Sequence, residues 1–394
     1  MDEALHKQIA AGNLCDVEKL IKSGASINNL FGMKGTPLCA AIYADKPQIA
    51  DKLIEHGCDV NSKDYDGEPP LCLAIRTGKH DMIERLLHEP LCDVNRMDPV
   101  TGCRPLHIAV RNGDYNTACA LVRRDCVDLC NKNGQTAIDI GITAKKNDIV
   151  KMLVESGCSL LVMNNDGEIP LFVAIKMNEF DLMCLILDKM LEKDSAGQTV
   201  LNYQMPGILT TPLMQAIAVE NLDAAFELIR RGCDVNASNF CGETALYLAC
   251  KYNHPDLACS LLEAKANPSA AATNKRSFSY SGKVFTKAPI HEAIHVGNLQ
   301  LVKKLLEHGA DLNAVDVNGN DALCCALYSN KSQIVDHILD FVSSKGMPLS
   351  RAFKSRNHPL VAVASCTSPA YFANRLAVVH EHVDNKMLSY KCYM

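Results

Sequence analysis

Five consecutive residues, His291-Glu292-Ala293-Ile294-His295, have the H-E-x-x-H form. On a helix its two histidines fall on one face, where they can hold zinc while the glutamate serves as general base. The extended motif adds a third ligand after a glycine, and here Gly297 stands one residue too early, with no G-x-x-H behind it. Nineteen cysteines offer a second reservoir of chemistry, for zinc or for disulfides. No C-x-x-C pair occurs among them, and the nearest approach is Cys126 with Cys130. The phosphate-binding G-x-x-x-x-G-K, the G-x-S-x-G elbow, the dinucleotide glycine fingerprint and the kinase signatures are all missing from the sequence. Read as chemistry, these residues predict no enzyme, no metal and no cofactor.

A repeating unit positions them. Leu38, Leu71, Leu106, Ile138, Leu171, Leu213, Leu246, Ile290 and Leu323 each open a helix-start signature, at spacings of 33, 35, 32, 33, 42, 33, 44 and 33 residues. One unit therefore recurs, with two insertions. Three residues past each anchor stands alanine, except at Gly141, so the fifth copy is expected to be looser. Fifteen residues past each anchor stands an apolar pair, from Leu53-Ile54 to Ile338-Leu339. Leu5 opens a further copy 33 residues before Leu38, which makes at least ten. Register also accounts for the chemistry above: His291 follows an anchor and Ala293 is the small position. Cys58, Cys92, Cys158 and Cys233 likewise fill the slot that holds Ala25, Ala266 and Ala310 elsewhere. A buried thiol behaves as a small hydrophobe.

Each offset implies local structure. Thr36, Thr136, Thr211, Thr244 and Asp321 precede anchors by two residues, where their oxygens can cap the first amides of a helix. Pro37, Pro70, Pro105, Pro170, Pro212 and Pro289 then fill the first helical position, where no amide is needed. The second apolar pair marks a second helix facing the same core. Gly24, Gly57, Gly157, Gly232 and Gly309 follow it as stops, and Asp66-Gly67, Asn133-Gly134, Asp166-Gly167 and Asn318-Gly319 signal tight hairpins. The unit reads helix, turn, helix, hairpin. Helices this short cannot bury an apolar face alone, so copies must stack into a solenoid.

At this point the chain resembles the ankyrin-repeat family, whose opening signature T-P-L-H-x-A recurs every 33 residues. The matching stretches here read TPLCAA, PPLCLA, RPLHIA, IPLFVA, TPLMQA and APIHEA, followed later by LIEHGCDVN, LIRRGCDVN and LLEHGADLN. Only His107 and His291 keep the signature histidine. The resemblance implies an all-α solenoid of ten to eleven helix-turn-helix units joined by β-hairpin fingers, with fingers and first helices lining a concave groove that grips another protein. It also implies hydroxylation of asparagines such as Asn61, Asn236 and Asn313. The array is expected over 1–345, with insertions near 188–210 and 265–287, both between a second helix and the next anchor and so in the hairpin region beside the groove. Residues 346–394 are expected to form a degenerate eleventh repeat or cap.

Forty basic and 45 acidic residues give a net charge of -5, with no long basic run and no tryptophan, which argues against nucleic acid as partner. The N-terminal residues carry no signal-peptide pattern, and no apolar run approaches the roughly 20 residues of a membrane helix. A monomeric protein of the cytoplasm is expected, without membrane insertion, the nucleus being the alternative compartment.

Binding residues are sought where the groove should lie. Five residues past the anchors stand Tyr43, Arg76, Arg111, Lys176, Lys251 and Tyr328, a partly basic column suited to an extended, partly acidic segment. A solvated face would show the same charges. Six residues before anchors, Tyr65 and Phe240 put rings where hairpin tips favour polar residues, and aromatic residues often dominate interfaces. The second insertion, basic and serine-rich, is either a contact or regulatory loop, with Ser277 as phosphate acceptor, or a tolerated surface insertion. The leading expectation is a non-enzymatic scaffold or adaptor for protein partners. The alternatives are a substrate-recognition subunit of a ubiquitin-ligase complex, or the ankyrin part of a larger multidomain protein.

Overall fold

The computed structural model describes all residues except 33–34, 125–126, 194–198, 274–285, 317 and 346–394. The chain divides into two compact units, residues 1–195 and 196–394.

The first unit contains six helical hairpins: α1 (Asp2–Ala11) with α2 (Leu14–Lys22), α3 (Pro37–Tyr43) with α4 (Pro47–Glu55), α5 (Pro70–Thr77) with α6 (His80–His88), α7 (Pro105–Asn112) with α8 (Tyr115–Val122), α9 (Ala137–Thr143) with α10 (Asn147–Glu155), and α11 (Pro170–Lys176) with α12 (Phe180–Lys193). Among the described residues the second contains four: α13 (Pro212–Ala218) with α14 (Leu222–Arg230), α15 (Ala245–Lys251) with α16 (Pro255–Glu263), α17 (Pro289–Val296) with α18 (Leu299–Glu307), and α19 (Ala322–Tyr328) with α20 (Ser332–Lys345). Within each unit every first helix packs on the first helix of the next copy. Each unit is thus an all-α stack of ankyrin type. A two-residue antiparallel ladder, β1 (Ala272–Thr273) with β2 (Thr286–Lys287), closes the base of the second insertion. Residues 274–285, Ser277 among them, and the tail 346–394 lie outside the described residues.

Local chemistry builds the unit as the offsets require. Thr36, Thr211, Thr244 and Asp321 accept the amides of Cys39, Met214, Tyr247 and Cys324. Thr136 differs: its amide and hydroxyl both donate to Asp139 Oδ2, each at 2.8 Å. Interior first helices are almost wholly buried, six of eight residues in α5, and each buried leucine or isoleucine contributes about 1.5–3 kcal/mol. In α1 only Leu5 and Ile9 are buried.

The turn closing each first helix requires a left-handed residue. Glycine supplies it at Gly12, Gly78, Gly113 and Gly297, but Asp45, Lys145, Asn178, Glu220, Asn253 and Asn330 adopt it at the equivalent offset, at a cost of about 1 kcal/mol each for most L-residues.

Two expectations need revision. The fifth copy is not looser: a Cβ on Gly141 would stand 2.7 Å from Val150 Cγ2 and 3.3 Å from Val110 Cγ1, so glycine admits a closer packing than alanine could. The first insertion is not wholly hairpin, since it lengthens α12 to fourteen residues and buries Val200, Leu201 and Met205 beyond it.

Candidate functional site

The fingers are tied edge to edge by backbone. In the first unit Lys132 N–H donates to Gly102 O at 3.0 Å and Asn165 N–H to Asn133 O at 3.2 Å; in the second, Phe240 N–H donates to Ile208 O at 3.0 Å. Close approach requires glycine, because a Cβ on Gly102 would stand 2.1 Å from the Lys132 side chain and one on Gly134 2.4 Å from Asn165. The fingers therefore hold their tips in fixed register with the ends of the first helices.

Beside the fingers, three of the four basic side chains expected to line the groove, Arg76 and Lys176 in the first unit and Lys251 in the second, are already paired with acids. Arg76 forms a bidentate pair with Glu68, at 2.9 and 2.7 Å. Lys176 bonds Glu168 at 3.0 Å and Lys251 bonds Glu243 at 3.1 Å. In all three the acid sits eight residues before the base, on the finger that leads into the same helix. These bases are 40–51% exposed, so each pair contributes at most about 1 kcal/mol of stability. Tyr43 donates its hydroxyl to Asp64 Oδ2 at 3.0 Å; burial first, and then that carboxylate, push its pKa up to about 12. Lys251 also lies over the rings of Tyr247 and Tyr252, 5.9 and 5.8 Å from their centroids. Arg111 has no acid partner among the described residues: its Nη2 donates to Cys103 Sγ at 3.2 Å. Tyr328, 49% exposed, lines a cleft of about 510 Å³ with Lys287, His295, Asn318 and Asn320.

The finger tips expose Tyr65 (71%) and Phe240 (38%) as expected, and also Val100 (61%). Val100 shares their offset from the anchor and was therefore within reach of the sequence. The paired glutamates were equally accessible, through a constant spacing of eight.

The H-E-x-x-H stretch is spent on structure. His291 Nδ1 accepts the Ala288 amide and Nε2 bonds Ala314 O, both at 3.0 Å, and burial pushes the imidazole pKa down. With both nitrogens bound to backbone, this ring has none left for a metal. Glu292 Oε1 accepts from Tyr247 Oη at 2.9 Å and Lys287 Nζ at 3.0 Å. His295 is exposed. His107 repeats the pattern, its Nδ1 accepting the Arg104 amide at 3.0 Å, with burial lowering its pKa to about 4. Cys39 and Cys72 fill the same slot and reach Ser62 O and Arg96 O, each at 3.7 Å, so the thiol takes over the imidazole's bridge to the next finger. The four cysteines in the alanine slot are 2–8% exposed, like Ala25, Ala266 and Ala310 at 4–8%. Among the described residues no group of three or more His, Cys, Asp or Glu is placed to hold a metal ion, and no helix is long and apolar enough to cross a membrane.

Asparagines join consecutive copies. Asn61 Oδ1 accepts the Asp93 amide at 2.8 Å while Nδ2 donates to Leu91 O at 2.7 Å. Asn236 does the same with the Asn267 amide, at 2.7 Å, and Lys265 O, at 3.2 Å.

Comparison with known proteins agrees with this geometry. The family described as "Ankyrin repeats (3 copies)" matches residues 5–98, 91–164 and 106–197, and further ankyrin-repeat families match 210–240, 228–277 and 290–336. The B-cell lymphoma 3 protein homolog of Mus musculus is 28% identical over 178 residues, 45% of this chain and 37% of that protein. Rabankyrin-5 of Homo sapiens is 25% identical over 326 residues, 80% of this chain and 24% of that protein. The chain thus spans well under half the length of these curated relatives. The crystal structure of the ankyrin repeat domain of Bcl-3 aligns with a TM-score of 0.50 at 25% identity, covering 60% of this chain and 98% of that domain. Period, capping, stacked helical hairpins and profile matches converge, and this chain belongs to the ankyrin-repeat family.

Proposed function

We propose that the chain is a non-enzymatic scaffold or adaptor, monomeric and cytoplasmic with access to the nucleus, that holds protein partners on the face made by its first-helix ends and finger tips. The observation that carries this reading is the register of that face. Each unit presents side chains at one fixed offset per copy, Tyr43, Arg76, Arg111 and Lys176 in the first, Lys251 and Tyr328 in the second, beside the exposed tips Tyr65 and Phe240. Exposed rings on rigid supports lose little entropy on binding and are the residues that anchor interfaces. Because Arg76, Lys176 and Lys251 are already paired with acids, charge on this face selects an extended, partly acidic segment more than it drives affinity.

A photocrosslinking residue placed at Tyr65, Lys176 or Tyr328, and at Lys304 on a second helix as control, tests the reading in cells. Adducts with partner proteins from the first three and none from Lys304 are expected. Adducts from Lys304 alone would overturn it. Light scattering of the purified chain checks the monomer. The ligase-receptor alternative turns on whether residues 346–394, which lie outside the described residues, co-purify a cullin-type scaffold.

A further inference from the structure

Three copies neutralise the column base with a glutamate eight residues earlier, but the fourth carries cysteine at that position. Arg111 is exposed, and its one hydrogen-bond partner among the described residues is Cys103 Sγ at 3.2 Å. No carboxylate forms an ion pair with it among the described residues. Asp98, buried in the adjoining finger, is occupied by the amides of Val100 and Thr101, at 2.9 and 3.1 Å, and by the Thr101 hydroxyl. Arg104 spends its guanidinium on two carbonyls, Cys130 O at 3.0 Å and Asn95 O at 2.6 Å. Lys132 lies across Gly102 with its Nζ 3.4 Å from Val100 O. Three cations therefore gather around one finger with no carboxylate paired to any of them among the described residues. Beside them stand the exposed Tyr65 and Val100, on fingers that touch where a Cβ on Gly67 would meet Pro99 Cγ at 3.0 Å.

We propose that Arg111 is the specificity-determining residue of the first unit, receiving an aspartate or glutamate side chain from an extended peptide segment whose neighbouring apolar residues contact Tyr65 and Val100. This rests on the interaction face proposed above. A planar guanidinium with most of its donors open takes a carboxylate bidentately, whereas Arg76 would first have to give up Glu68.

The full chain is panned against a displayed library of short random peptides, and the enriched peptides are synthesised and titrated against variants. Arg111→Met is expected to weaken binding roughly tenfold or more, with Arg111→Lys retaining part of the affinity. Exchanging the peptide's acid for its amide should cost the same, and nothing further in Arg111→Met. Removing the Asp16–Lys19 pair of α2, as Asp16→Asn with Lys19→Met, should change affinity less than about threefold. Peptides that are lost on Tyr65→Asp but indifferent to Arg111→Met would overturn the role of Arg111 and leave the interaction face standing. Enrichment of peptides insensitive to Tyr65→Asp, Val100→Asp and Arg111→Met alike would overturn both.

Discussion

Asp139 occupies the slot where two other copies carry histidine, and it is fully buried. Its Oδ2 accepts two hydrogen bonds from Thr136, while Oδ1 has no partner among the described residues. Burial raises its pKa from 3.8 to about 6, against the lowering effect of those hydrogen bonds, with Glu168 adding to the rise. A folded-state pKa above the unfolded value means that the stabilisation is fully present below about pH 4 and is lost as pH rises through about 6. A shift of this size corresponds to about 3 kcal/mol. Asp139→Asn keeps an acceptor for the Thr136 amide and cannot ionise. Its stability relative to the parent should therefore climb by up to about 3 kcal/mol between about pH 4 and about pH 7. Taking the difference between the two proteins cancels other titrations, including that of His107, whose burial-lowered pKa acts in the opposite sense. Urea unfolding followed by circular dichroism at several pH values measures it. A stability difference that stays flat with pH, or falls, would refute the reasoning.

Three further outcomes follow from the packing. Gly141→Ala gains about 1 kcal/mol of helix propensity but overpacks against Val150 and Val110, at about 1–3 kcal/mol; thermal unfolding should show a net loss, and a stabilised variant would contradict the close packing. Gly78 (φ 68) has nothing within 4 Å of its Cβ position, so Gly78→Ala should lose about 1 kcal/mol by backbone strain alone, whereas Glu220→Gly, relieving a φ of 59, should gain some tenths up to about 1 kcal/mol; changes of the same sign would rule out the left-handed turn as their cause. Purified protein should carry no stoichiometric zinc, unchanged by His295→Ala, and zinc lost on that substitution would restore the metal reading.

Which features were legible in the sequence follows from what an offset can encode. Anchors, capping threonines and alanine slots each report one position's local requirement, and period 33 superposes ten samples of it, so the fold and the ten copies among the described residues could be read directly. The role of Gly141 could not, because the space it fills belongs to Val110 and Val150, one in the preceding copy and one on the following helix. The column's partial neutralisation is present in the sequence as a constant spacing of eight, which is not by itself a contact. Glu68, Glu168 and Glu243 lie on fingers, and only the fold turns a separation of eight into contact with the end of a helix. Val100 stands six residues before Leu106, the offset of Tyr65 and Phe240 from their anchors, although its turn is centred on Asp98, one residue further from the anchor than Asp64 is from its own.

Protein partners are proposed to bind on the fingers and first-helix ends. Affinity capture with quantitative mass spectrometry measures it most directly, comparing the intact chain, a variant carrying Tyr65→Asp, Arg111→Glu and Phe240→Asp, and a control carrying Lys19→Glu and Lys304→Glu on second helices. Partners are expected to be captured by the intact chain and the control and lost from the first variant. Partners retained by that variant and lost from the control would contradict it.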